Sequence, residues 1–337
     1  MRLTRRRLAG ALAVALTVPL LSSCSSAETP SLVIYNAQHE ELISVVADAF
    51  KKKTGIEVEL RNGSDLELAN QLVEEGDASP ADVFLTENSP AMSLVDSKGL
   101  FTDLKPATLA LVPDQYRPDN GHWMGFAARS TVLVYNTAQL PEDQLPTSIM
   151  DLAKPAWKGR ISFSPTGADF QAIVSAVLEL KGEAATRHWL AGLKRNGTVY
   201  DGNNVVLEAV NSGESEAGVI YHYYWYRDQE ESAENSDQSR LYFFGNQDPG
   251  AFVSVSGAGV LASSDDKADA QKFVEFLADR DGQQVIAASY ALEYPLNPDV
   301  PLGRSVKGLN ELEPPNVDVS DLNGPKVVEL MQEAGFL

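Results

Sequence analysis

From residue 31 onward, short apolar runs alternate with longer segments whose apolar residues recur every three to four positions. Leu32–Tyr35 reads as a buried strand. The following helix places Leu42, Val45, Val46, Ala49 and Phe50 on one face and stops at Gly55. Ile56–Leu60 alternates as a second strand. Ser64 and Glu67 are spaced as a capping box ahead of Leu68, Ala69, Leu72 and Val73. Ala81–Thr86 is a third apolar strand, and Ser89-Pro90 opens the next helix. The pattern returns in Gly159–Ser164, before a helix with Phe170, Ile173, Val174 and Val177. It returns again in Glu216–Tyr221 and in Ala251–Ala262, the latter before Ala270, Phe273, Val274 and Leu277. Such alternation predicts an α/β protein with a largely parallel sheet covered on both faces.

Two extended segments, Trp123–Asn136 and Gly250–Ala262, are longer than ordinary strands. Segments of that length can cross between two lobes and form a hinge. Two lobes are also expected from size, because the chain exceeds what one core usually organises. The expected division is residues 31–125 plus 255–305 for lobe 1 and residues 126–254 plus 306–337 for lobe 2. A ligand would lie in the cleft between them.

The N-terminal segment follows different rules. Arginines at 2, 5, 6 and 7 precede an apolar run, Leu8–Leu21, and then small residues. That order marks residues 1–23 as a signal peptide, with twin-arginine export also open. Leu21-Ser22-Ser23-Cys24 resembles a lipobox, so Cys24, the chain's only cysteine, is the expected lipidation site and residues 24–30 a tether. Removing residues 1–23 takes away four arginines and no acid, moving the formal charge from −20 to −24. A surface of that sign repels nucleic acid and favours cations nearby.

Val219–Asp228 holds four tyrosines, a histidine and a tryptophan, in a chain with 11 Tyr, 4 His and 4 Trp. In α/β sheets, ligands bind beyond the carboxyl ends of strands. His39, Glu87 and the pair Tyr223–Tyr224 all follow predicted strands. In a first helical turn both phenols can reach one point. Imidazole, carboxylate and two phenolates form a mostly oxygen-donor set. Zinc prefers Cys and His, and calcium and magnesium prefer carboxylates, carbonyls and water. Ferric ion, hard and trivalent, matches one Glu and two tyrosinates. Plainer readings stand beside this one: His39 as a helix-start residue, Glu87 complementing a helix dipole, the aromatics as packing or as a stacking platform.

Four segments, Tyr35–Leu60, Ser79–Pro90, Tyr221–Tyr226 and Glu293–Val300, together resemble the periplasmic ferric-ion-binding proteins, the receptors of iron ABC importers. The resemblance implies a two-lobed type II periplasmic-binding-protein fold with a hinge of crossing strands. It implies iron held by His39, Glu87, Tyr223 and Tyr224, and an ABC permease as partner, with the receptor a monomer. Family members that use phosphate often carry a serine where this chain has Gly167, with Asp169 beside it. Asn203 matches an anion-contact asparagine. Thr166, Gly167, Ala168, Asn203 and Arg129 are therefore candidates for a synergistic anion such as carbonate or phosphate. Water, or an extra ligand from Tyr221, His222 or Asp169, is the alternative. His122 and His188 read as surface or packing residues.

The competing functions are a receptor of the same fold for a polyamine, a thiamine-like cation or an organic anion, and an exported hydrolase. Catalysis finds no support in motifs. There is no Gly-x-Ser-x-Gly elbow, and Ile43 stands where His-Glu-x-x-His needs its second histidine. A phosphate-binding Lys loop is also missing, and the protein is expected not to be an enzyme.

Overall fold

The computed structural model describes residues 31–302, 306–319 and 322–337. The signal peptide, the tether and Cys24 lie outside the described residues. Among the described residues ten strands are formed: β1 (Ser31–Asn36), β2 (Glu57–Asn62), β3 (Val83–Leu85), β4 (Trp123–Asn136) and β5 (Ile161–Phe163) in the first half. β6 (Gly197–Val199), β7 (Ala217–Tyr221), β8 (Ser239–Tyr242), β9 (Val253–Val260) and β10 (Tyr294–Pro295) follow. No helix among the described residues is long and apolar enough to cross a membrane.

The sheet order is β2-β1-β3-β9-β4-β7-β5-β6, with β8 and β10 also paired to β4. It is more mixed than the strand–helix alternation predicts. β1 pairs in parallel with β2 and β3, and β5 with β6 and β7, but every ladder made by β4 or β9 is antiparallel. The reason is the connection. Helices do separate β3 from β4, but the two strands are not neighbours in the sheet, since β9 lies between them, so that connection imposes no parallel pair. β4 pairs β9 from Trp123 to Ser130, and β7 from Thr131 to Tyr135. One continuous strand thus serves both halves of the sheet.

Two large cores flank that passage. The first includes Leu32, Phe50, Val83, Phe126, Ala128 and Phe273, and the second includes Leu133, Phe163, Phe170, Trp189, Val219 and Tyr223. Between them Arg129, Ser130 and Thr131 are polar and buried. Near the C-terminus, Val306, Leu309, Leu312 and Val319 pack against the first core, whereas Val327, Leu330 and Met331 pack in the second. β9 is covered closely, since a side chain at Gly257 would collide with Met92.

The local signals fold as read, with one rotation. The Ser64–Glu67 capping box forms ahead of the helix Asp65–Glu75, and Pro90 sits in the first turn of Ser89–Asp96. In the helix Glu40–Thr54 the buried face is Leu42, Ile43, Val46, Ala47 and Phe50, while Val45 is 46% exposed. The apolar stripe is wide enough for either choice. Packing of Phe50 on Phe273, with ring centroids 5.0 Å apart, selects the one seen.

Candidate metal site

Because β1 and β3 are parallel, their carboxyl ends open on the same side. His39 follows β1 as the residue that starts the helix Glu40–Thr54, and Glu87 follows β3. The Glu87 loop is fixed from below. The two oxygens of Asp65 accept the backbone N–H groups of Glu87 at 2.8 Å and Asn88 at 2.9 Å. His39 Nε2 lies 3.6 Å from Glu87 Oε1.

The facing wall comes from β5 and β7, also parallel to each other. Tyr223 and Tyr224 occupy the first turn of the helix His222–Glu231. Their rings stand 4.3 Å apart at 31°. Both hydroxyls converge on one oxygen: Tyr224 donates to Asp169 Oδ2 at 3.1 Å and Tyr223 at 3.5 Å. The helical turn explains the convergence, since neighbouring residues of a strand would point to opposite faces. Asn203 Nδ2 donates to the same oxygen at 2.8 Å. Tyr221 donates instead to the Asp169 backbone carbonyl at 3.2 Å.

The walls meet. The His39 and Tyr223 rings pack edge to face at 5.7 Å. A cavity of about 240 Å³ is lined by His39 and Glu87 on one side and by Thr166, Gly167, Ala168, Asp169, Asn203 and Tyr224 on the other. At the mouth, the Arg227 guanidinium covers the faces of Tyr223 at 4.9 Å and Tyr224 at 5.3 Å. It also reaches Tyr290, beyond the His39 wall, at 5.7 Å.

Burial sets the protonation. It pushes the Glu87 carboxyl up to about 7, with Arg129 opposing. Burial and then the Glu87 charge raise Asp169 well above the carboxylate range. The two carboxyls line one cavity, so the charge on Glu87 disfavours a second charge on Asp169. Burial and Asp169 also raise Tyr223 and Tyr224 above the ordinary phenol range. Near neutral pH the two phenols therefore keep their protons until a cation displaces them. Among the described residues no group of three or more His, Cys, Asp or Glu is arranged to hold a metal ion. The phenol oxygens of Tyr223 and Tyr224, meeting at Asp169, are further oxygen donors beside His39 and Glu87.

Residues 78–312 match the bacterial extracellular solute-binding proteins. The chain belongs to that family. Within it, a Serratia marcescens relative described as an Fe(3+)-binding periplasmic protein is 57% identical over 306 residues, spanning 91% of this chain and 90% of the relative. The major ferric iron-binding protein of Neisseria meningitidis serogroup B is 40% identical over 326 residues, spanning 94% of this chain and 97% of the relative. Iron-bound HitA from Pseudomonas aeruginosa superposes with a TM-score of 0.85 at 43% identity, covering 90% of this chain and 99% of that one. The fold of this solute-binding protein is accordingly the two-lobed type II arrangement, and the cleft site lies between its lobes.

Two candidates are engaged within the protein. Arg129 is fully buried; its Nη2 donates to Ser256 Oγ and, at 2.8 Å, to Glu293 Oε2, and its Nη1 donates to the Glu87 carbonyl. His222 accepts from the Ser130 N–H at Nδ1, 3.2 Å, and lies 3.1 Å from the Leu292 carbonyl at Nε2. Its ring stacks on Tyr294 at 4.4 Å, so one face and both nitrogens are engaged within the protein. Sequence reasoning missed Asp65, Gln38 and Glu293. The first two stand beside a strand or helix end, but Glu293 is marked only by lying in the Glu293–Val300 segment. Its partners Arg129 and Gln38 lie 164 and 255 positions away along the chain.

Proposed function

We propose that this solute-binding protein captures ferric ion in the cleft, with His39, Glu87, Tyr223 and Tyr224 as ligands and Asp169 in the place of a synergistic anion. The observation that carries the reading is the meeting of both phenol hydroxyls on one Asp169 oxygen, in a cavity walled by His39 and Glu87. Two phenolates and a carboxylate match a trivalent charge, and a strongly charged ion is what displaces protons held so firmly. A weaker divalent ion gains less from the same displacement. The similarity to ferric-binding relatives and to iron-bound HitA agrees with this.

The anion is where the reading departs from the first expectation. Asn203 donates to Asp169, Arg129 is clamped on Glu293, and the Asp169 carboxyl sits beside Thr166, Gly167 and Ala168. A second anion would add charge next to an existing carboxylate. Carbonate and phosphate are therefore dispensable. The loaded protein, a monomer tethered through Cys24 to the outer face of the membrane, would then hand the ion to an ABC permease. It binds and delivers, and catalyses nothing.

The test is a ferric titration in buffer purged of carbonate and phosphate. Full loading without either anion is expected, and Asp169→Ala should make loading depend on added phosphate. A natural chain that takes up iron only when phosphate or carbonate is restored would overturn the role given to Asp169.

A further inference from the structure

Glu293 is outside the ligand set, yet it is a fully buried carboxylate at its edge. Its two oxygens have different surroundings. Oε2 accepts from Arg129 Nη2 at 2.8 Å and Gln38 Nε2 at 3.2 Å, with Ser256 Oγ at 3.5 Å. Oε1 has no aligned donor, and the buried Nδ1 of His39 has no aligned partner either. The two unpaired atoms face each other at 3.3 Å. Buried polar atoms seldom stay unpaired, and a small turn of the imidazole aligns them. The second ring nitrogen, Nε2, already faces Glu87.

We propose that Glu293 is the positioning residue of His39. Its Oε1 accepts the Nδ1–H, which fixes the tautomer and leaves the Nε2 lone pair free for the ferric ion. This rests on the ferric reading above. A ligating imidazole needs an acceptor on its other nitrogen to hold the ring's orientation and raise its basicity. Here the acceptor is itself anchored. Arg129 on β4 and Ser256 on β9 hold Glu293. Gln38 does so as well, and its own Oε1 accepts the His39 backbone N–H at 2.6 Å. Ring, backbone and both crossing strands are tied to a single carboxylate.

Long-range proton–nitrogen spectra of the iron-free protein at pH 8 report which nitrogen of each histidine carries the proton, with His39→Gln identifying the signals. The unmodified protein is expected to hold His39 as the Nδ1–H tautomer, a result that needs no change at Glu293. In Glu293→Gln the new amide can turn its NH₂ toward Nδ1, so the proton should move to Nε2. Ferric release to a competing chelator should then speed up about 10–100-fold, while the visible phenolate band keeps its position. An Nε2–H tautomer in the unmodified protein overturns the proposal. So does a folded Glu293→Gln protein with unchanged release. Should the unmodified protein take up no ferric ion, the ligand reading fails separately, and the tautomer still decides whether Glu293 orients His39.

Discussion

The two walls of the cleft rest on different electrostatics. Behind His39 and Glu87 stands a buried ion pair. Burial alone would raise Glu293, but the Arg129 guanidinium, with His39, holds its carboxyl at about 2, and so it stays charged. Among the described residues no such pair stands behind the tyrosine wall. Arg227 lies over the ring faces, and burial still pushes both phenols and Asp169 upward, leaving that wall neutral and held by hydrogen bonds. One wall is a charged scaffold. The other is a set of protons that only a strongly charged ion can displace.

The sharpest way to break the comparison is to remove a displaceable proton. Tyr223→Phe or Tyr224→Phe should each weaken and shift the visible charge-transfer band and weaken ferric binding at least ~10³-fold, about 4 kcal/mol, and the double substitution should abolish the band. The fold should be unharmed, as measured by absorption titration and thermal melting together. A double variant that stays coloured would put the iron elsewhere.

Glu87→Gln probes the junction of the walls and should cost ferric affinity on the order of 100-fold. Its stability effect has the opposite sign. The folded-state value of Glu87, about 7, lies above its usual one. Its contribution to the empty protein is therefore complete below the usual carboxylate range and lost as pH rises through 7. Melting temperature of the empty protein should fall between pH 5 and 8, and the substitution should flatten part of that fall. Asp65, raised by burial to about 7, adds to the same slope. Equal slopes in both proteins would remove Glu87 from the account.

Arg227→Ala is the smallest change. It deletes a cation over the ring faces and the contact with Tyr290, an effect of ~0.5–1 kcal/mol. Ferric release should quicken a few-fold with no shift in the number of ions bound. A larger effect would mean that Arg227 belongs with the ligands.

Much of this architecture was legible because the relevant signals are local. Strand ends place His39, Glu87 and the tyrosine pair, and one helical turn suffices to bring two phenols to one side. Asp169 was legible as a neighbour of the anion loop, but not as the group on which both hydroxyls meet. The scaffold wall was not legible. Arg129 and Glu293 are 164 positions apart, Gln38 and Glu293 255, and no periodicity links them. The antiparallel crossing of β4 was hidden for a similar reason, since extended length says nothing about direction. Val45 shows the limit within a single helix, where a wide apolar stripe leaves the buried edge to tertiary packing.

The central claim is most directly tested by titrating the protein with ferric ion at pH 7 while following visible absorbance and released protons together. One ion per chain, a visible band growing in step, and about three protons released are expected, two from the phenols and about one from the Glu87–Asp169 pair. Stoichiometric binding without colour, or without proton release, would contradict it.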